Sequence, residues 1–143
     1  LLTMGQKIVA GFLYAKLRRA QQMGVKVEID FAVPSSKMPC EEVDLIEILG
    51  ILLDNAFEAS ESGDIVKLVY LLDGEHVRLE VSNIAPQMSN EQMMRMFELG
   101  YSSKSGKRGF GLHNFKQIAK QYNAKIILKN EFNRLTIGLL FKA

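Results

Sequence analysis

An asparagine side chain interrupts the apolar helical pattern of the stretch EILGILLDNAFEAS, residues 47–60. The amide oxygen of Asn55 is a hard donor of the kind that suits Mg²⁺, an ion that takes few protein ligands and completes its octahedron with phosphates and water. A structural hydrogen bond to a nearby backbone group is the alternative for a lone asparagine, because a partly desolvated amide needs partners. Residue type and position leave both interpretations open.

A second asparagine falls on an apolar face farther along the chain. Val77, Leu79 and Val81 alternate with polar residues, and the same count places Asn83 on their face at the end of the strand. An amide offers an acceptor and donors side by side, which can match the edge of a base such as adenine. A turn is the alternative, since strand-end asparagines often begin turns and Pro86 follows closely.

A glycine-rich, basic loop has the sequence GYSSKSGKRGFG over residues 100–111. Glycines allow a backbone to approach a ligand closely, and the helix predicted directly after the loop would turn its free N–H groups and its dipole toward an anion. The residues suited to phosphate are the hydroxyls Ser102 and Ser103, the cations Lys104, Lys107 and Arg108, and the glycines Gly106, Gly109 and Gly111. A solvated surface loop explains this segment equally well by itself. A possible metal ligand, a possible contact for adenine and a possible phosphate-binding loop follow one another along the chain. This combination favours a nucleotide site.

Composition and charge exclude several other classes. The 143 residues are 48% hydrophobic and 24% charged, which is typical of one soluble domain with a real core. The formal net charge of +2 is spread along the chain and predicts no nucleic-acid partner. The single Cys40 excludes an internal disulfide, and no His and Cys cluster has metal-ligand spacing. No apolar run approaches the roughly 20 residues of a membrane span, so no membrane contact is expected. The start LLTMGQ indicates a piece of a longer protein.

Hydrophobic periodicity predicts the elements that must position these side chains. A long amphipathic helix ends at Gly24, and an alternating strand occupies residues 25–33. The helix with Asn55 is predicted from about residue 41 to 62, closed by Gly63. The later elements are two strands joined through Asp73 and Gly74, a short helix that begins with the capping-box pair Ser89 and Gln92, a helix directly after the glycine-rich loop, and a closing hairpin with its turn at 131–133.

A helical count separates the polar residues of the helix at 41–62. The predicted apolar arc consists of Leu45, Leu49, Leu52, Leu53, Ala56 and Ala59, and the predicted solvent arc of Glu47, Asp54, Glu58 and Glu61. Asn55 lies on the flank of the apolar arc. The count therefore predicts a solvent-facing Asp54 beside a partly buried Asn55.

These motifs together resemble the ATP-binding domain of the superfamily that joins gyrase, heat-shock chaperones, histidine kinases and MutL. LLDNAFEAS is similar to its N box, MFELGYSSK to the F box and start of the ATP lid of the kinases, and KRGFGLHNF to the G2 box. GFLYAKLRRAQQMGVKVEIDF resembles the junction of phosphoacceptor helix and ATPase domain in the peptide-pheromone, quorum-sensing branch of the kinases.

The resemblance implies a fold and a domain division. The fold is an α/β two-layer sandwich, a mixed and mainly antiparallel sheet with about three helices on one face, preceded by one N-terminal helix. Residues 1–24 would be the end of the dimerisation and phosphoacceptor helix with its linker, and residues 25–143 the ATP-binding catalytic domain.

The resemblance also implies a histidine kinase that binds ATP and Mg²⁺. Asn55 would be the metal ligand, and Asn55, Lys104 and Arg108 the catalytic residues. The cofactor-binding set would be Asn55, Asn83, Ser102, Ser103, Lys104, Gly106, Lys107, Arg108, Gly109, Phe110, Gly111 and Leu112. The implied partners are its own phosphoacceptor domain in a homodimer and a response regulator, with this domain on the cytoplasmic side of a membrane sensor. The phosphoacceptor histidine would lie upstream, because both His76 and His113 are better explained as structural.

Three departures from the family pattern qualify this prediction. Asn83 replaces the usual adenine-reading Asp, and Ala85 and Gln87 replace glycines of that box, which predicts weaker adenine specificity. Ile51 stands where gyrase-like ATPases carry the Glu that activates water, which predicts poor ATP hydrolysis. Lys107 replaces the first glycine of the G2 box. A degenerate domain that serves as a phosphotransfer scaffold, or a serine kinase that inhibits a sigma factor, are the alternatives.

Overall fold

A computed structural model describes residues 4–98 and 111–142 of the chain. The helices are α1 (Met4–Met23), α2 (Glu42–Ala59), α3 (Asn90–Arg95) and α4 (Gly111–Gln121), with a short 3₁₀ turn at Ser35–Lys37. The strands are β1 (Lys26–Ala32), β2 (Ile65–Asp73), β3 (His76–Ile84), β4 (Lys125–Glu131) and β5 (Arg134–Lys142).

The strands form one mixed sheet in the order β1-β2-β3-β5-β4. β1 pairs with β2 in parallel, and the other three pairings are antiparallel. α2 packs on β3 and α4 packs on β4, while α1 contacts α2 and β1. The predicted α/β architecture, a mixed and mainly antiparallel sheet with helices and an N-terminal helix before it, is confirmed.

Local sequence explains where several elements end. Gly24 adopts φ +75°, and the N–H of Val25 donates to the carbonyl of Ala20 at 2.9 Å, so a Schellman motif closes α1. At the start of α3, the Ser89 hydroxyl accepts from the N–H of Gln92, and the Gln92 side chain accepts from the N–H of Ser89. The predicted stop at Gly24 and the predicted capping box are confirmed.

Both predicted hairpins are present. Asp73 pairs with His76 across a two-residue turn, and Glu131 pairs with Arg134 across Phe132 and Asn133. Phe132 and Asn133 have φ of 53° and 58°, the left-handed geometry that a type I′ turn requires and that suits the twist of the strands. Phe132 is 93% exposed, so this turn is formed by backbone geometry and not by burial of its aromatic ring.

Helix α2 differs from its prediction in four ways. It ends at Ala59 instead of residue 62, because Ser60 is already extended with φ −95° and ψ 152°. Ala59 is exposed and does not belong to the apolar arc. Asp54 does not face solvent, because α1 packs along this side of α2 and Lys16 binds the carboxylate. Phe57, which the predicted arc omitted, is buried.

Candidate functional site

A cavity of about 270 Å³ lies between the middle of α2 and the start of α4. Its lining residues are Gly50, Ile51, Asp54, Asn55, Glu58, Gly111 and Leu112. Asn55, Gly111 and Leu112 were all predicted as binding residues, and although more than fifty positions of sequence separate Asn55 from the other two, the fold brings them together. The cavity is therefore the candidate site.

Asn55 has the exposure and the freedom that a ligand group needs. Its side chain is half-buried, and it forms no hydrogen bond to any residue within 4–98 or 111–142. A structural amide at this position would be paired with a neighbouring backbone group. The role of Asn55 as a metal ligand stays a prediction.

The first turn of α4 provides an anion-binding environment. A Cβ atom at Gly111 would lie 3.6 Å from Cγ2 of Ile51, so α4 begins directly against α2, one turn before Asn55. The first N–H groups of a helix have no partner within the helix and carry its positive dipole end. A phosphate in the cavity would therefore lie beside Asn55 and the start of α4.

The oxygen donors around the cavity fit Mg²⁺. The amide of Asn55 and the carboxylate of Glu58 line the cavity, and hard oxygen donors are the ligands that Mg²⁺ prefers. Among the described residues, no group of three or more His, Cys, Asp or Glu side chains is placed to hold a metal by itself. That composition suits an ion that shares its coordination with phosphates and water.

Asp54 is already engaged by α1. Its Oδ1 lies 2.7 Å from Nζ of Lys16 and 3.6 Å from a guanidinium nitrogen of Arg19. Sequence reasoning missed both cations. The available signal was that Lys16 falls at helical spacing with the apolar residues of α1, which is where a side chain must face another element.

Asn83 is buried as predicted but lies outside the lining of this cavity. It is 2% exposed, and its Nδ2 donates to the carbonyl of Ile84 at 3.0 Å. The loop after it is held by Asn130, whose Oδ1 accepts from the N–H of Met88 at 2.6 Å. Sequence reasoning did not single out Asn130. The role of Asn83 in reading adenine stays a prediction.

The remaining predicted site residues belong to the glycine-rich loop. Ser102, Ser103, Lys104, Gly106, Lys107, Arg108, Gly109 and Phe110 lie outside the described residues. Their roles stay predictions.

Ile51 lines the cavity at the position where a hydrolytic relative would carry its base. The cavity is not free of carboxylates, since Asp54 and Glu58 also line it. The Asp54 carboxylate accepts a hydrogen bond from Lys16. Poor hydrolysis of ATP stays a prediction.

The groups with raised pKa values lie near the other end of α2 and are structural. Burial, with the Asp44 carboxylate as the smaller cause, raises the pKa of the Cys40 thiol to about 12. The hydrogen bond that Tyr122 donates to Asp44 is the main cause of the raised pKa of the tyrosine hydroxyl. These contacts attach the start of α2 to the end of α4, away from the cavity.

No helix in the described part of the chain has the length and hydropathy to cross a membrane.

Comparison with known proteins gives a consistent result. The sequence model of one protein family, the histidine kinase-, DNA gyrase B- and HSP90-like ATPases, matches residues 40–141. The sensor protein CitS of Bacillus subtilis (strain 168) is 33% identical over 127 residues, which cover 86% of this chain and 23% of CitS. The chain spans about a quarter of the length of the curated relatives it matches.

Solved structures share the fold. The catalytic domain of histidine kinase ThkA has a TM-score of 0.82 at 18% identity, covering 95% of this chain and 90% of that one. Histidine kinase ThkA in complex with the response regulator TrrA has a TM-score of 0.77 at 16% identity, covering 95% and 39%. None of these names refers to a pheromone, so membership of the quorum-sensing branch stays a prediction.

Proposed function

Because this chain belongs to the family of histidine kinase-, DNA gyrase B- and HSP90-like ATPases, we propose that its α2–α4 cavity binds ATP with Mg²⁺ and presents the γ-phosphoryl group to a histidine outside these 143 residues. The observation that carries the proposal is the amide of Asn55, half-buried in the cavity wall, with no hydrogen bond to a described residue and facing a cavity that also contains the start of α4.

The proposed mechanism is positioning for phosphoryl transfer. Asn55 would hold Mg²⁺, and the N–H groups at Gly111 and Leu112 would bind a phosphate. When bound, Mg²⁺ would neutralise the charge that develops on the phosphoryl oxygens. Lys104 and Arg108, which lie outside the described residues, are the proposed cations for the phosphates, and Asn83 is the proposed contact for adenine.

The residue at position 51 favours transfer to a protein group over transfer to water. An isoleucine cannot accept a proton from water, and of the two carboxylates in the lining, Asp54 and Glu58, the first is bound by Lys16. A histidine acceptor brings its own nucleophile and needs no such base. The proposal assigns the acceptor role to neither histidine of this chain. His76 is exposed at the start of β3, and His113 is half-buried in α4.

The proposed partners follow from the same assignment. They are the phosphoacceptor domain continuous with α1, which makes the full-length protein a homodimer, and a response regulator. The structure of ThkA with the response regulator TrrA supports the second partner. The proposed location is the cytoplasmic side of a membrane-bound sensor.

Titration of the 143-residue chain with a non-hydrolysable ATP analogue, with and without Mg²⁺, tests the nucleotide site. We expect Asn55→Ala to weaken the Mg²⁺-dependent affinity by at least about tenfold, because a metal ligand is lost. Asn90→Ala is the matched control, since Asn90 is exposed in α3 and is not among the residues that line the cavity. Equal Mg²⁺-dependent affinity in the Asn55 variant would contradict the metal role. No binding in the unmodified chain would favour the degenerate scaffold.

A further inference from the structure

An ion pair joins α1 to α2 at the wall of the cavity. Asp54 lines the cavity and lies next to Asn55 in sequence. Its carboxylate is 2.7 Å from Nζ of Lys16, and each of these two side chains is only 19% exposed. Arg19 approaches the same oxygen at 3.6 Å. A half-buried pair of this kind is screened by salt less than an exposed one.

Helix α1 makes a second contact on the same turn of α2. A Cβ atom at Gly50 would lie 3.2 Å from Cζ of Phe12, and Nζ of Lys16 is 5.3 Å from the centroid of the Phe12 ring. Gly50 and Asp54 line the cavity, whereas Phe12 and Lys16 do not. Helix α1 therefore contacts the cavity wall from behind.

The charge of Asp54 makes this contact relevant to a polyphosphate ligand. A carboxylate in the wall of such a cavity repels phosphate, and the repulsion is stronger where the local dielectric is low. Lys16 and Arg19 offset this charge from the side of α1. If α1 shifts away, the wall loses the positive charge that offsets Asp54, the residue before Asn55.

We propose that Asp54 is a positioning residue for nucleotide binding, and that the attachment of α1 through Lys16 sets the affinity of the cavity for a magnesium nucleotide. This inference rests on the proposed function. Because coupling between two equilibria is reciprocal, the bound nucleotide must stabilise the Lys16–Asp54 attachment by the same factor.

The experiment measures the affinity of the Mg²⁺-bound, non-hydrolysable ATP analogue in variants of the 143-residue chain. We expect Lys16→Met to weaken it by about threefold to tenfold, because the substitution removes the cation nearest to the Asp54 carboxylate. Lys16→Arg should restore most of the affinity. The double variant K16M/D54N should bind as D54N does, since the charge that Lys16 offsets is then gone.

Two controls separate positioning from a general effect on the fold. Lys7→Met removes the same charge from the exposed side of α1 and should leave affinity unchanged. The K16M penalty should shrink as ionic strength rises, which a purely structural defect would not show. Thermal melting establishes that each variant is folded, and Lys16→Gln is the second neutral variant if K16M does not fold.

Wild-type affinity in the neutral Lys16 variants would overturn the inference and leave the proposed function intact. The same penalty for K16M with and without D54N would also overturn it, because Lys16 would then act on the nucleotide without Asp54. Absence of Mg²⁺-dependent binding in the unmodified chain would overturn the proposed function, and the inference with it.

Discussion

The two sides of α2 bury different kinds of residue. The side toward the sheet carries Leu49, Leu52 and Phe57, each at most 1% exposed. The other side carries Asp54 and Asn55, which contact α1 or line the cavity. One side is typical of a packed core and the other of a binding surface, so a single helix separates the residues that hold the fold from those that can bind a ligand.

The largest expected effect is on the sheet side. Phe57→Ala should lower the free energy of unfolding by about 3–5 kcal/mol, because it removes a large buried side chain and leaves a cavity. Urea denaturation followed by circular dichroism measures the change. Glu47→Ala, on the exposed surface of the same helix, should change it by less than about 0.5 kcal/mol. A small effect of the Phe57 substitution would remove the distinction between the two sides.

Gly50 lies where α2 contacts α1, and a substitution there should have an effect of intermediate size. Gly50→Ala should change the free energy of unfolding by less than about 1 kcal/mol, because the gain in helix propensity is opposed by crowding against Phe12. In a Phe12→Ala background the same substitution should stabilise the chain by about 1 kcal/mol. Thermal or urea denaturation of the unmodified chain, the two single variants and the double variant completes this double-mutant cycle. No difference between the two backgrounds would show that α1 does not crowd Gly50.

The smallest expected effect on stability is at Asn55 itself. Without nucleotide, Asn55→Ala should change the free energy of unfolding by less than about 0.5 kcal/mol, because the side chain has no hydrogen bond to lose among the described residues. The same denaturation assay measures it. A loss of 2 kcal/mol or more would instead identify Asn55 as a structural amide and would place it with the core residues of α2.

Much of the fold could be predicted because local patterns carry it. Alternation along β3 predicted that Asn83 lies on the apolar face, and it is 2% exposed. The Ser89–Gln92 pair predicted the start of α3, and Gly24 predicted the end of α1. Each prediction rests on residues a few positions apart, whose geometry is set by backbone hydrogen bonds and periodicity.

The surroundings of Asp54 could not be predicted in the same way. A helical count gives the direction in which Asp54 projects, but not whether solvent or another helix lies there. Lys16 is 38 positions away, and only the packing of α1 on α2 brings the two charges together. Glu58 was likewise assigned to solvent and lines the cavity.

The sequence by itself determined the elements of this protein and the chemical types available to its site: an amide in an apolar helix, a second amide at a strand end, and a glycine-rich loop before a helix. Only the tertiary structure decided which of them share a cavity. Asn55 meets the start of α4, Asn83 lies outside the lining, and Asp54 is turned from a surface carboxylate into a paired one. The physical reason is range: periodicity and capping act within a few residues, whereas a shared cavity depends on how helices pack across the whole chain.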